Sequence, residues 1–196
     1  MTPERKQRLI SVLQRRQNDL TVVLENVLDP HNISAVMRTC DAVGIQEIFI
    51  LNNNIPRHSK FGKRSSSSAA KWLTIHQFTN AEECFETVRK KYSTILTTSL
   101  TDHAISLHEI DFTKSLALVF GNEHDGVSEE IRKFADGNFV IPQVGIIQSL
   151  NISVACAVTL YEAYRQKNLA GHYEKQSLGD DQMKELLKKW MVDDGQ

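Results

Sequence analysis

Polar side chains crowd the start of an apolar helix that we predict near the carboxyl end of the chain. Residues 141–157 contain the end of a buried strand, a stop at Pro142, a turn, and a helix that begins near Ser149. A proline directly after a short apolar run ends a strand, because it cannot donate to the hydrogen-bond ladder. One polar residue at a helix start can cap the free backbone N–H groups. The series Ser149, Asn151 and Ser153 exceeds one cap and indicates a role beyond capping.

Glycine spacing argues against the two commonest nucleotide sites of chains with alternating strands and helices. No Gly-x-Gly-x-x-Gly follows the early predicted strands, so the dinucleotide-binding fingerprint is missing. Gly121 and Gly126 have the spacing of a phosphate-binding loop, but Val127 and Ser128 stand where that loop needs Lys and then Ser or Thr. We therefore expect a ligand held in loops beyond the carboxyl ends of strands, where open α/β sheets bind their ligands. Those loops are residues 97–99, 121–123 and 141–150.

Strands and helices must alternate along the chain to present those loops at one edge of a sheet. Short apolar runs predict strands at residues 21–25, 47–51, 73–78, 94–99, 116–120 and 139–141. Apolar spacing and capping signals predict helices at residues 3–17, 33–43, 80–92, 128–135, 150–167 and 180–190. The alternation predicts an α/β fold with a mostly parallel sheet covered on both faces. We expect a basic N-terminal helical arm at 1–20, an α/β domain at 21–167 and a C-terminal helical extension at 168–196.

Composition fits one domain with short appendages in a reducing compartment. The chain has 196 residues, 41% of them hydrophobic, and no apolar run approaches the roughly 20 residues of a membrane span. Its charged N-terminus lacks the apolar core of a signal peptide. Wide spacing of Cys40, Cys84 and Cys156 argues against a disulfide framework or a zinc site. We therefore expect a cytoplasmic protein with no membrane partner, and no carboxylate cluster demands a catalytic metal.

Positive charge is concentrated in two segments, although the formal net charge is −1. Residues 1–16 hold five Lys or Arg against one acid, and residues 57–71 hold five with no acid. A single basic run is usually an ordinary solvated face. Two such runs, one on a terminal arm and one on a long serine-rich loop, favour contact with phosphates.

Three motifs follow one another along the chain. They span residues 32–44, 118–128 and 141–157, and together they cover most of the chain. On these motifs the sequence resembles the SPOUT methyltransferases, and within them the TrmH branch, whose members methylate ribose 2′-hydroxyls in RNA. The resemblance implies S-adenosyl-L-methionine as the cofactor and a deep C-terminal trefoil knot. Sequence pattern alone would predict an ordinary doubly wound sheet, because true knots are rare.

The resemblance also implies which residues form the site. The implied catalytic centre comprises Arg38, Asn32, Glu123, Ser149 and Asn151. The implied cofactor pocket, mostly apolar with backbone hydrogen bonds, is formed near Thr98, Ser99, Gly121, Ile141, Ile146 and Leu150. RNA contacts are expected from Arg5, Arg8, Arg15, Arg16, Lys63, Arg64 and Arg165. Gln143 departs from the family pattern, in which an apolar residue commonly follows the Ile-Pro.

Arg38 and Glu123 have charges that restrict the chemistry each can do. A guanidinium is effectively never deprotonated in proteins, so a general-base role for Arg38 is disfavoured. We expect Arg38 to clamp the phosphate beside the reacting ribose and to stabilise the developing alkoxide. A carboxylate beside arginine has its basicity lowered, so we expect Glu123 to anchor a loop rather than to abstract the proton. The proton would pass to phosphate or water.

The helical arms favour one substrate class over others. They resemble those of family members that methylate a guanosine ribose in the D-loop of tRNA. The family forms homodimers whose active site uses both subunits, so the expected partners are tRNA and a second copy of the chain. Enzymes of the same fold that modify ribosomal RNA or the wobble position of tRNA are the alternatives. A non-catalytic RNA-binding protein is the alternative from another class, and failure to bind the cofactor would support it.

Overall fold

A parallel sheet of seven strands forms the centre of the structure. The computed structural model describes residues 2–58, 69–99, 103–147 and 149–193. The strands are β1 (Leu20–Glu25), β2 (Glu47–Leu51), β3 (Thr74–Phe78), β4 (Thr94–Thr98), β5 (Ile105–Ser106), β6 (Leu116–Phe120) and β7 (Gly137–Val140). Their order across the sheet is β3-β2-β1-β6-β4-β7-β5, and neighbouring strands pair in parallel. The predicted α/β class is therefore confirmed.

Strand register brings the predicted loops to one edge of this sheet. In the centre, β1 and β6 pair from Leu20 opposite Leu116 to Leu24 opposite Phe120. Strand β4 pairs with β6 on one side and with β7 on the other. Since these strands run in the same direction, the loops that leave β1, β4, β6 and β7 meet at the carboxyl edge, where α/β sheets bind ligands.

Helices cover both faces of the sheet and form the two terminal arms. They are α1 (Pro3–Gln14), α2 (Pro30–Ala42), α3 (Ala69–Trp72), α4 (Ala81–Arg89), α5 (Glu129–Arg132), α6 (Ile152–Leu169) and α7 (Asp180–Asp193). Side chains of β1 alternate between the two faces, because successive residues of a strand point in opposite directions. Val22 and Leu24 pack with Ile33 of α2 and Cys156 of α6, whereas Val23 packs on the opposite face.

Several predicted helix ends differ from the observed ones for reasons of capping. Helix α2 begins at Pro30 rather than near residue 33, because the Asp29 side chain accepts a hydrogen bond from the backbone N–H of His31 and proline suits the first helical position. Helix α6 begins at Ile152 rather than near Ser149, with Asn151 as its N-cap. The predicted end of α2 near residue 43 is confirmed, since Val43 is the C-cap and Gly44 has φ +85° just beyond the helix.

The two terminal arms pack against each other. Leu9 and Leu13 of α1 form a buried cluster with Leu178, Leu186 and Trp190. Helix α1 is shorter than predicted, because it ends at Gln14 and Gln17 already forms a parallel bridge with Ile45. The division of the chain into two arms and a central domain stays a prediction, and so does the trefoil knot.

Within the described residues, no helix is both long enough and apolar enough to cross a membrane.

The three cysteines are buried and free. Burial, together with the negative charge of Glu83, raises the pKa of the Cys84 thiol to about 12.

Candidate active site

The loops after β4, β6 and β7 enclose a cavity of about 420 Å³ at the carboxyl edge of the sheet. This volume lies in the range of small-molecule and cofactor sites, which runs from roughly 300 to 1,000 Å³. Five of the predicted cofactor residues line it, namely Thr98, Ser99, Gly121, Ile141 and Leu150. The sixth, Ile146, does not, and its side chain is fully exposed in the loop that precedes α6.

The cavity has an apolar side and a polar side. Phe139 and Ile152, both almost fully buried, contribute the apolar side together with Leu150. The polar side is the loop at residues 122–126, which follows β6 and carries Glu123, His124 and Asp125. Gln143 also lines the cavity, so the position that departs from the family pattern lies at the site.

Glycine is required at the end of β6 by the path of this loop. A Cβ atom built on Gly121 would lie 1.9 Å from the carbonyl carbon of Gly126 and 2.2 Å from the backbone nitrogen of Val127. No real Cβ contact is that short, so the loop folds back on Gly121 more closely than any side chain allows. Asn122 closes the turn, because its Oδ1 accepts hydrogen bonds from the backbone N–H groups of His124 and Asp125 at 2.8 and 2.7 Å.

Glu123 joins this loop to the loop between β1 and α2. Its carboxylate accepts hydrogen bonds from the backbone N–H groups of Leu28 and Asp29, at 3.2 and 3.4 Å, and from Asn32 Nδ2 at 2.8 Å. Partial burial alone would raise the pKa of Glu123, but these hydrogen bonds outweigh it and lower the pKa below its ordinary value. A carboxylate held in this way is a poor base, which favours the anchoring role over proton abstraction.

Asn151 extends the same network to the start of α6. Its Nδ2 donates to Asn32 Oδ1 at 3.2 Å. Its Oδ1 accepts hydrogen bonds from both the backbone N–H and the hydroxyl of Ser153, at 2.9 and 2.6 Å. Asn151 therefore caps the helix and also connects it to Asn32 and Glu123. The network fixes three segments that are distant in sequence, and these segments belong to the three motifs.

The remaining predicted catalytic residues occupy different positions. Ser149 lines the cavity, in the segment just before α6. Arg38 lies on α2, six residues after Asn32, and its side chain is exposed. It does not line the cavity, and among the described residues its guanidinium has no hydrogen-bond or ion-pair partner. One chain thus brings Asn32, Glu123, Ser149 and Asn151 to the site but leaves Arg38 outside it.

Predicted RNA-binding residues also separate into groups. Arg8 and Arg15 of the N-terminal arm are exposed, Arg5 is half-buried, and Arg165 on α6 is exposed but pairs with Glu162 at 2.8 Å. Lys63 and Arg64 lie outside the described residues.

The predicted contact of Arg16 with RNA is wrong, because the Arg16 side chain is fully buried and cannot reach a phosphate. Its guanidinium donates to the Asp41 carboxylate and to the carbonyl oxygen of Ile45 at 3.0 Å, and it lies 5.2 Å from the centre of the Trp190 ring. Arg16 is thus part of the internal structure that joins the arms to α2.

Three charged or titratable residues line the cavity without having been predicted as site residues: His124, Asp125 and Arg132. The first two fall inside the second motif, where their position beside Glu123 was a usable signal. Arg132 comes four residues after that motif, on the short helix α5. Ser128 caps this helix and its backbone N–H donates to the buried Glu25 carboxylate at 3.0 Å.

Comparison with known proteins identifies the class to which this fold and site belong. The SpoU rRNA Methylase family matches residues 19–161, which include the sheet, the cavity and the Glu123 network. The chain therefore belongs to the SpoU methylase family, and the resemblance found in its motifs is confirmed.

Individual relatives match nearly the whole chain. It is 41% identical over 192 residues to the tRNA (guanosine(18)-2'-O)-methyltransferase of Thermus thermophilus, covering 97% of both chains. The enzyme of that name from Aquifex aeolicus is 38% identical over 191 residues, which is 97% of this chain and 90% of the relative.

Solved structures agree with these sequence matches. The A. aeolicus TrmH/SpoU tRNA modifying enzyme superimposes with a TM-score of 0.89 at 38% identity, over 97% of this chain and 96% of the other. The SpoU methyltransferase AviRb from Streptomyces viridochromogenes, solved in complex with AdoMet, gives 0.71 at 26% identity, over 79% and 62% of the two chains.

Proposed function

We propose that this chain is an S-adenosylmethionine-dependent methyltransferase that modifies the ribose 2′-oxygen of a D-loop guanosine in tRNA. The observation that carries the proposal is the meeting of three motif segments at one cavity, tied together by the hydrogen bonds of Glu123, Asn32 and Asn151. The relatives from T. thermophilus and A. aeolicus support the choice of substrate, because both are named tRNA (guanosine(18)-2'-O)-methyltransferases.

The cavity has the features that an adenosyl cofactor requires. Its apolar side suits the adenine ring, and the close fold at Gly121 leaves backbone rather than side chain at the cavity wall. We assign the cofactor to Thr98, Ser99, Gly121, Ile141 and Leu150. When bound, S-adenosylmethionine supplies a methyl group activated by the positive sulfonium.

The protein groups contribute positioning and electrostatics. Glu123, Asn32 and Asn151 hold the three segments at fixed separations, which matters because transfer requires the ribose oxygen to be aligned with the methyl group. Ser149 belongs to the third motif, lines the cavity and lies just before α6. We propose that its hydroxyl orients the ribose or the cofactor. Arg38 clamps the neighbouring phosphate and stabilises the developing alkoxide, since a guanidinium keeps its proton.

Arg38 can reach such a phosphate if the working unit is a homodimer. In a single chain it lies outside the cavity, although α2 packs beside α6. Helix α6 carries Val154, Val158 and Tyr161 at helical spacing, and these side chains are 46%, 42% and 55% exposed. A second copy docked on this stripe would bury it and could supply Arg38 to the neighbouring cavity. The N-terminal arm would then carry the tRNA on Arg8 and Arg15, together with Arg165 of α6, in the cytoplasm.

The first test is methyl transfer from labelled S-adenosylmethionine to unmodified tRNA transcripts, with the product mapped by nuclease digestion and mass spectrometry. We expect label on the ribose of the D-loop guanosine. Arg38→Ala should lower kcat by about 10²- to 10³-fold, the effect of removing one donor to a developing oxyanion. Arg38→Lys should recover little of this loss if both arms of the guanidinium contact phosphate, and most of it if only the charge matters. Lys90→Ala, an exposed cation at the end of α4, is the matched control.

Other outcomes would point elsewhere. Transfer to ribosomal RNA would contradict the tRNA assignment and favour the alternative represented by the 23S rRNA (guanosine-2'-O-)-methyltransferase RlmB of Pasteurella multocida. That relative is 30% identical over 159 residues, which is 81% of this chain and 65% of the relative. Transfer to a wobble nucleotide would keep tRNA as the substrate but would replace the D-loop guanosine as the modified nucleotide. Failure to bind the cofactor at all would favour a non-catalytic RNA-binding protein.

A further inference from the structure

Arg132 is the one cation of fixed charge among the described residues that line the cavity, and it lies outside the three motifs. Its side chain is exposed and forms no hydrogen bond or ion pair with the described part of the chain. Its charge acts on Glu25 from a distance, but that carboxylate is buried and accepts a hydrogen bond from the Ser128 backbone instead. The guanidinium therefore has its hydrogen-bonding capacity available to a ligand in the cavity.

The backbone of Arg132 is held firmly. Its N–H donates to the Ser128 carbonyl at 3.1 Å, its carbonyl accepts from Ala135 at 3.2 Å, and the neighbouring Ile131 is fully buried. Helix α5 follows the Gly121–Gly126 turn directly, and Ser128 ties it to β1 through Glu25. Arg132 thus projects from a fixed point beside the polar side of the cavity.

Charge decides what the free guanidinium would bind. The methionine part of the cofactor carries one carboxylate, one ammonium and, in the reactive form, one sulfonium. Among the described residues, two carboxylates line the cavity, Glu123 and Asp125, and they repel the carboxylate of a ligand unless a cation lies close to it. A guanidinium meets a carboxylate with two parallel hydrogen bonds, a pairing that lysine cannot reproduce.

On the basis of the proposed function, we propose that Arg132 binds the carboxylate of the methionine part of the cofactor. The adenosine then occupies the apolar side near Leu150 and Phe139, and the amino-acid end lies along the polar loop. Arg132 is a binding residue in this scheme. It sets the affinity for the cofactor and takes no part in moving the proton.

The test compares two ligands that differ only in this carboxylate. Binding of S-adenosylhomocysteine and of decarboxylated S-adenosylhomocysteine would be measured by isothermal titration calorimetry on the full chain. Arg132→Gln should weaken S-adenosylhomocysteine by about 10- to 100-fold, the range for a hydrogen bond to a charged group. In the same variant, the affinity for the decarboxylated ligand should change by less than about 2-fold. This ligand has no carboxylate, so it loses no contact when Arg132 is replaced. Arg132→Lys should fall between Arg132→Gln and the unaltered protein.

A neighbouring lysine provides the control, and three results would overturn the assignment. Lys133→Gln removes an exposed positive charge next in sequence that does not line the cavity, and it should leave both affinities unchanged. Equal weakening of both ligands by Arg132→Gln would make the residue a support for the loop. Unchanged affinities would make it an ordinary surface cation. A raised KM for tRNA with unchanged cofactor affinity would assign it to RNA phosphate instead.

This experiment separates the Arg132 proposal from the proposed function. The binding comparison needs no RNA, so it gives its answer whether or not tRNA is the substrate. Unaltered protein that binds S-adenosylhomocysteine but transfers no methyl to tRNA would contradict the substrate alone. Unaltered protein that binds neither ligand would contradict the cofactor assignment and the Arg132 proposal together.

Discussion

Gly121 is a residue where a single methyl group decides whether the site can form. The Cβ of an alanine there would lie 1.9 Å from the Gly126 carbonyl carbon, so the backbone of the loop must move. The same loop carries Glu123, and its movement would also disturb the hydrogen bonds to Leu28 and Asn32. The local geometry of one glycine therefore controls both the cavity wall and the network.

Gly121→Ala should weaken S-adenosylhomocysteine binding by more than about 10-fold, because the loop that lines the cavity can no longer close in its present form. Calorimetric titration measures the affinity, and circular dichroism checks that the sheet is retained. Gly179→Ala is the control, since an added Cβ there meets nothing within 4 Å. Unchanged affinity in Gly121→Ala would mean that the loop is not part of the cofactor site.

At the scale of helices and strands, buried charges hold separate elements together. Arg16, just beyond α1, bonds to the end of α2 through Asp41, to the backbone of Ile45, and to the carbonyl of Trp72 at 3.4 Å. On the other face, Glu47 at the start of β2 accepts hydrogen bonds from His76, Lys91 and Tyr92. Replacing one charged residue of such a group leaves its polar partners without a hydrogen bond. The resulting loss of folding free energy exceeds the contribution of an exposed ion pair.

Arg16→Gln should lower the free energy of unfolding by about 2–3 kcal/mol, because it removes the hydrogen bonds of a buried guanidinium to the Asp41 carboxylate and to the Ile45 carbonyl. Urea denaturation would measure this, with Arg15→Gln as the matched control. Arg15 precedes it in the chain but is exposed, so its replacement should change stability by less than about 0.5 kcal/mol. Equal effects of the two substitutions would contradict the structural role assigned to Arg16.

Glu47 should make stability depend on pH in acid. Burial of this carboxyl acts to raise its pKa, but hydrogen bonds from His76, Lys91 and Tyr92 outweigh burial and lower the pKa to about 2 from 4.5. Because the folded pKa is depressed, the contribution of Glu47 is complete above about pH 4.5 and is lost as pH falls towards 2. A pKa shift of this size corresponds to a contribution of about 3 kcal/mol to folding stability at neutral pH.

The measurement is the difference in unfolding free energy between unaltered protein and Glu47→Gln at several pH values. That difference should shrink as pH falls from about 4.5 to 2. Glu86→Gln, which removes an exposed carboxylate on α4, is the control substitution. A gap that stays constant throughout the acid range would contradict the depressed pKa.

These elements also show how far sequence reasoning reaches. The six longer strands follow from apolar runs, whereas β5 has two residues and no pattern of its own. Arg15 and Arg16 look alike in a basic run, and only the packing of Trp190 and α2 decides that one of them is buried. The motifs grouped Asn32, Glu123 and Asn151, and hydrogen bonds join these three side chains in the structure because loops after parallel strands converge. They could not reveal Arg132, whose position depends on how α5 folds back beside the cavity.

At the scale of the whole molecule, the position of Arg38 outside its own cavity suggests a site shared between two copies. A closed twofold dimer uses the same patch on both chains, so two equivalent sites would form at once. Val158 lies in the exposed stripe of α6, and Val158→Asp should give a monomer by light scattering after gel filtration, because a charge cannot be buried there without a partner. Ile105→Asp changes an equally exposed apolar residue on β5 and should leave the dimer intact.

A mixture of two impaired variants, assayed at a cofactor concentration too low to saturate Gly121→Ala, tests whether Arg38 acts across such a dimer. Arg38→Ala chains keep the cavity, and Gly121→Ala chains keep Arg38, so a mixed dimer would hold one complete site if Arg38 crosses to the partner. Random exchange of subunits then restores about a quarter of the normal number of sites, because half of the dimers are mixed and each has one working site of two. Methyl transfer to tRNA would be measured before and after partial denaturation and joint refolding of the two proteins. If Arg38 serves the cavity of its own chain, every site in the mixture lacks one component and activity stays at the level of the separate variants.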